Sequence, residues 1–213
     1  MIISFSNVVP AFLAGTTALK SEVWGADFSL PAGKSVLVKA QSGKGKTTFL
    51  SYLFGSRTGY NGKIAFDDKD IAGLSTDSWS DLRREKVSMV IQDLRLFENL
   101  TVRENLEAKL KLNGQVPFAV AQKMLQALGL GEFMDRECRT LSLGQQQRVA
   151  IVRSLCQPFK WLLMDEPFSH LDEQNTAIAM QLIKERCAAN GAGYIISSLG
   201  SEHHTHYDIV LNL

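Results

Sequence analysis

Apolar and polar positions alternate at the start of the chain, with Ile3 and Phe5 set against Ser4 and Ser6. That period of two predicts a strand over residues 2–8. Turn signals at Gly15, Gly25 and Pro31-Ala-Gly33 make the first part of the chain, to about Val38, strand-rich. Val36-Leu-Val38 is a short apolar strand, and residues 49–54 continue a helix that opens at Lys46-Thr47. Gly59-Tyr-Asn-Gly62 precedes Lys63-Ile-Ala-Phe-Asp67, and the Asn-Gly pair predicts a tight turn in a hairpin returning to a β layer. Ser88-Met-Val-Ile91 is an apolar strand ending in Gln92.

From about Thr101 to Leu130 the spacing turns helical, with Val120, Met124, Leu125 and Leu128 on one face and Gly129 and Gly131 at the end. Residues 93–139 therefore read as a mostly helical sub-lobe. Ser142-Leu-Gly-Gln145 has the form of a capping box, and Val149, Val152 and Cys156 mark the apolar face of the helix it opens. Trp161-Leu-Leu-Met164 fits a strand covered on both faces. Asp172 can cap a helix to about Ala189, and residues 194–196 and 208–211 are two further strands. Strand and helix alternate from Val36 onward, which predicts an α/β fold with a mostly parallel core sheet, an antiparallel N-terminal layer and the inserted helical sub-lobe.

Candidate chemistry enters at the turn between residues 38 and 46. A strand, glycines at 43 and 45, then Lys46-Thr47 opening a helix is the form of a phosphate-binding loop, that of a P-loop NTPase. Main-chain N–H groups converge there on one anion and the helix N-terminus adds partial positive charge. Lys46 suits the β- and γ-phosphates of ATP, and the Thr47 hydroxyl suits a Mg²⁺ ion. The first glycine of the usual pattern is Ala40, which costs about 1–2 kcal/mol if that position needs a positive φ and little otherwise. The apolar strand ending in Asp165-Glu166 supplies a second acidic element. Asp165 suits the metal and Glu166 an attacking water.

These motifs, in this order, resemble the nucleotide-binding ATPase subunits of ATP-binding-cassette transporters, over essentially the whole chain. The segment from Ala40 through Gln41, Ser42, Gly43, Lys44, Gly45, Lys46 and Thr47 to Thr48 is similar to their Walker A loop, and Gln92 to the Q-loop glutamine, a further metal contact. Leu141-Ser-Leu-Gly-Gln145 resembles the signature, residues 161–166 Walker B with its catalytic glutamate, and Ser169-His-Leu-Asp172 the D-loop. Residues 92–105 are similar to the small ATPases of lipoprotein release, macrolide efflux and the cell-division pair. The resemblance implies one domain, with a nucleotide-binding core over 1–92 and 140–213 and the helical sub-lobe over 93–139. It implies a head-to-tail dimer with each ATP held between the phosphate loop of one subunit and Ser142, Gly144 and Gln145 of the other, with Asp172 coupling the two sites. It further implies membrane permease subunits as partners and a place on the cytoplasmic face of the membrane. Phe12 lies where the family puts an aromatic against adenine; an ordinary strand-end core residue is the alternative.

Three departures from the pattern stand out: Ala40, Leu143 for the first signature glycine, and Ser198 where the family has a switch histidine. Leu143 either crowds closure or points outward. Loss of a cation at the γ-phosphate typically costs about 10²-fold or more in rate, so slow hydrolysis, or a nucleotide-gated binding module with impaired hydrolysis, is the second reading. His203 reaching the phosphate, or solvated histidines at 203, 204 and 206 on a short polar helix, are alternatives for that segment. A cassette ATPase of translation or DNA repair is a third reading, disfavoured by the single cassette.

Composition adds limits. The 213 residues carry a net charge of +1, which gives no electrostatic case for nucleic acid. Three dispersed cysteines fit reduced thiols rather than a disulfide frame. No run of about 18 apolar residues is present. The start of the chain lacks the basic region of a signal peptide, and the end at Leu213 suggests a minimal cassette.

Overall fold

In the computed structural model, which describes residues 1–13, 15, 21–41, 43–112, 114–199 and 205–213, the initial alternation becomes β1, Ile3–Pro10. A single 3-10 turn, Ala11–Leu13, follows it, then β2, Phe28–Leu30, and β3, Ser35–Lys39. Helix α1, Lys46–Phe54, leads to β4, Tyr60–Phe66, and β5, Lys69–Asp70. Helix α2, Thr76–Glu85, precedes β6, Val87–Val90. Three helices come next: α3, Val102–Lys111; α4, Phe118–Ala127; and α5, Leu143–Leu155. Strand β7, Trp161–Asp165, helix α6, Glu173–Asn190, and strands β8, Gly193–Ser198, and β9, Ile209–Asn212, complete the order.

Two sheets result. One has four strands in the order β2-β1-β4-β5, paired antiparallel. The other has five in the order β6-β7-β8-β3-β9, paired parallel throughout. The expected α/β architecture with an antiparallel layer is therefore present. Alternation along β3 divides the core. Val36 and Val38 join α1 and the antiparallel layer in one apolar cluster, while Leu37 joins the cluster of α3 to α6 on the opposite face. The phosphate-loop strand is thus clamped from both sides.

The Asn-Gly pair does not make the expected turn. Asn61 and Gly62 lie inside β4, opposite a register shift between Ser6 and Val9 of β1. Asn7 takes a φ of 48° in that irregularity, and a β-carbon on Gly62 would come within 2.3 Å of the Asn7 carbonyl oxygen. The glycine serves a bulge rather than a hairpin loop. The β4–β5 turn falls instead at Asp67, φ 52°, whose carboxylate accepts from the Ile2 N–H at 2.8 Å.

The helical segment is broken once, between α3 and α4. Thr101 and Glu104 form a capping box at the start of α3. Asn105 is fully buried and ties the chain before α3 in place: its Oδ1 accepts from the Phe97 N–H at 2.9 Å and its Nδ2 donates to the Phe97 carbonyl at 3.0 Å. Cys138, Cys156 and Cys187 are buried free thiols. Among the described residues, no helix is long and apolar enough to cross a membrane.

Candidate functional site

Strand β3 delivers the chain to the phosphate loop, and α1 takes it away. Gly43 and Gly45 adopt φ values of 78° and 102°, which only glycine takes without strain. Ala40 is not among the residues of positive φ, so alanine there is free of the backbone penalty. The Lys46 side chain is only 6% exposed and folds back across the loop. Its Nζ donates to the carbonyls of Ala40 at 2.9 Å and Gln41 at 3.4 Å, and pairs with Glu166 Oε1 at 3.3 Å. All three ammonium protons thus have an acceptor.

Glu166 follows the last residue of β7 with a φ of 47°, an uncommon state for a non-glycine residue at the end of a buried strand. Asp165 is buried. Its Oδ1 accepts from Ser197 Oγ at 2.5 Å, and among the described residues nothing donates to its Oδ2. The same Ser197 oxygen accepts from the Glu166 N–H at 3.1 Å. One hydroxyl therefore orients both acidic residues. Sequence reasoning passed over Ser197 in favour of its neighbour. The signal was register: Ser197 is the β8 partner of Asp165 across the β7–β8 ladder.

The cavity over this loop has a volume of about 540 Å³, within the range of small-molecule sites. Of the residues the sequence singles out, Phe12, Gly43, Gly45, Lys46 and Thr47 line it, together with Thr48, Gln92 and Glu166. Phe12 is half exposed on the turn after β1, so it is not a core residue. Gln92 lies two residues beyond β6. The chain just after it is pinned: Leu94 and Arg95 take φ values of 58° and 49°, and their carbonyls each accept from the Arg153 guanidinium at 2.7 Å. Gln41 contributes its carbonyl to Lys46, and Lys44 its carbonyl to Trp24 Nε1 at 3.4 Å. Ser42, His203 and His204 lie outside the described residues.

Ser142, Gly144, Gln145 and Asp172 are not in this cavity. They form a second centre at the N-termini of α5 and α6. Ser142 Oγ accepts from the Gln145 N–H at 3.3 Å and Gln145 Oε1 from the Ser142 N–H at 2.8 Å, the reciprocal box the sequence predicts. A β-carbon on Gly144 would fall 2.7 Å from the His170 carbonyl oxygen, so the signature backbone and the 169–172 loop abut. Gln147 reinforces this, donating to the Glu166 carbonyl at 3.2 Å and accepting from the His170 N–H at 2.9 Å. Asp172 caps α6 through Asn175, and hydrogen bonds from the Asn175 backbone and side chain hold its carboxyl below the usual range. Leu143 points outward, 49% exposed. Ser198 is buried at the end of β8, and His206 is exposed outside any helix.

The donor set suits a magnesium nucleotide. Glycine-bearing main chain, a helix N-terminus and a buried lysine suit phosphate. The unmatched Asp165 Oδ2 suits a hard cation that takes few protein oxygens and completes its shell from phosphate and water. No cluster of three or more His, Cys, Asp or Glu exists among the described residues.

Comparison with known proteins agrees with this geometry. Residues 23–169 match the family described as ABC transporter. An uncharacterized ABC transporter ATP-binding protein of Mycobacterium tuberculosis is 36% identical over 186 residues, covering 86% of this chain and 56% of the relative. The macrolide export ATP-binding/permease protein MacB of Azoarcus sp. is 34% identical over 167 residues, 77% of this chain and 26% of that protein. The thiamine import ATP-binding protein ThiQ of Vibrio cholerae is 37% identical over 168 residues, 75% of this chain and 68% of that one. The chain spans about half the length of the mycobacterial relatives it matches. Among solved structures, the dimeric structure of the bacterial ABC transporter cassette MJ0796 superposes with a TM-score of 0.84 at 26% identity, covering 99% of this chain and 94% of that one.

Proposed function

The chain belongs to the ABC transporter family, and on that premise we propose that it is the ATP-binding and hydrolysing subunit of a transporter or mechanotransmission complex. The observation that carries this is the convergence of the Lys46 ammonium and the Glu166 carboxylate on one cavity, with the unmatched oxygen of Asp165 at the same strand end. Nucleotide enters by replacing Glu166 as the partner of Lys46, whose Nζ then holds phosphate. Main-chain N–H groups around Gln41, Gly43, Lys44 and Gly45 cradle the phosphates, with Thr47 and Thr48 at the start of α1. Phe12 receives the base. Glu166, released from Lys46, takes the proton of the attacking water on its carboxylate. Thr47, Gln92 and Asp165 would hold Mg²⁺, which would supply positive charge to the transferred phosphoryl group.

Ser142, Gly144 and Gln145 lie away from the chain's own cavity at a helix N-terminus, which supports a head-to-tail dimer in which they meet the partner's γ-phosphate. A related cassette, MJ0796, has been solved as a dimer bound to ADP and Pi. Asp172 couples the two sites. We place the nucleotide-binding core at residues 1–92 and 140–213 and the sub-lobe at 93–139, one domain on the cytoplasmic face beneath separate permease subunits. Relatives named for macrolide export and thiamine import support the membrane partner.

The test is phosphate release by the protein and its Lys46→Ala and Glu166→Gln variants. Lys46→Ala abolishes saturable nucleotide binding. Glu166→Gln keeps binding and loses turnover by about 10²-fold or more. A brisk rate unchanged in both variants refutes the assignment. Burial of Ser198 where the family resemblance puts a histidine favours a second reading, a nucleotide-gated module with impaired hydrolysis. That reading requires little turnover at the outset and little further loss on Glu166→Gln.

A further inference from the structure

Arg57 belongs to none of the motifs above, yet its side chain lines the phosphate-loop cavity. It lies between the end of α1 and the start of β4. Its guanidinium carbon stands 5.5 Å from the centre of the Phe12 ring. Its Nη1 donates to the Thr48 hydroxyl at 3.0 Å. Thr48 is buried in the first turn of α1, while Phe12 is half exposed. One side chain therefore spans the cavity from its exposed aromatic to the helix that carries the phosphate loop.

A planar cation over an aromatic face is the arrangement that accepts a flat heterocycle. Arginine stacks on bases as it stacks on aromatic rings, and a lysine of equal charge does not. Anchorage at Thr48 limits where the guanidinium can go when a base arrives, because the other end of the side chain is fixed in the turn after α1. We propose that Arg57 is a base-binding residue of the nucleotide site: the purine ring lies against Phe12, the guanidinium closes over it, and the Thr48 contact sets the distance between the base end and the phosphate end. The proposal rests on the nucleotide assignment above and adds to it a determinant that acts on the base rather than on the phosphates.

The test separates base from phosphate. The protein and its Arg57→Lys and Arg57→Ala variants are titrated calorimetrically with Mg-ADP and with magnesium pyrophosphate, neither of which is turned over. A stacking contact of this kind is worth about three- to thirtyfold in affinity. Expected is a rise of at least threefold in the ratio of the ADP to the pyrophosphate dissociation constant in both variants. Arg57→Lys keeps the charge, so that variant isolates the planar face. Adding Phe12→Ala to Arg57→Ala gives less than the product of the two single effects, because both act on one contact. A ratio that rises less than threefold in either variant overturns the proposal. If the unaltered protein binds pyrophosphate and ADP equally, the base subsite is refuted while the phosphate loop stands. If it binds neither, the nucleotide assignment falls and this proposal with it.

Discussion

Replacing Ser197 with alanine removes two contacts from the strand end that carries both acids. The Asp165 Oδ1 loses a 2.5 Å hydrogen bond, and the Glu166 N–H loses its acceptor at 3.1 Å. A hydrogen bond to a charged group contributes about 1.5–3 kcal/mol and a neutral one about 0.5–1.5 kcal/mol. Asp165 is 1% exposed and its Oδ2 has no donor among the described residues, so the variant removes the one donor described for a buried carboxylate. The expected loss is about 2–4 kcal/mol of unfolding free energy without ligand. Urea unfolding with and without Mg-ADP measures it, and the stabilisation by Mg-ADP should shrink, because the carboxylate that meets the cation is no longer held in place. Freed of its tether, Asp165 also presents its oxygen less accurately, and the half-saturating Mg²⁺ concentration for ATP turnover should rise about tenfold. Ser197→Thr keeps the hydroxyl and should keep the Mg²⁺ dependence, whatever the added methyl costs in stability. Ser197→Ala within 0.5 kcal/mol of the parent, with unaltered Mg²⁺ dependence, would refute the positioning role; that margin is about the spread of neutral substitutions.

Gly62→Ala drives a β-carbon to 2.3 Å from the Asn7 carbonyl at φ 89°, and should lower the thermal midpoint by several degrees while leaving ADP affinity unchanged; both are read in one calorimetric series. Lys109 has its pKa depressed to about 8, chiefly by burial and then by the Arg153 charge. A folded value below the unfolded one means the charged form opposes folding. That cost is complete below pH 8 and fades as pH rises toward the ordinary lysine value near 10.4. Lys109→Met should therefore raise the melting temperature at pH 7 and show a smaller gain at pH 10. Ser198→His restores a cation-capable side chain at the end of β8; a rise in single-turnover rate of about tenfold or more is expected if the missing contact limits hydrolysis. An unchanged rate would show that another group has taken over.

Much of the site was legible because its grammar is local. The turn from Val38 to Lys46, with glycines at 43 and 45, is specified by residues adjacent in sequence, and the backbone takes the left-handed values those glycines allow. The reciprocal box of Ser142 and Gln145 and the cap at Asp172 are likewise contacts three residues apart. Where a determinant comes from strand register or from packing across the fold, the chain alone is silent. Asn61-Gly62 has the composition of a turn, but pairing with β1 makes it a bulge, since the close approach of Asn7 is a tertiary fact. Ser197 and Ser198 are indistinguishable in the sequence; only the parallel ladder sets the first opposite Asp165. Arg57 and Phe12 are separated by one strand of each sheet and the whole of α1, and meet because both sheets pack on that helix. Local hydrogen-bonding rules thus wrote the motifs, and long-range pairing, which no short spacing encodes, chose their neighbours.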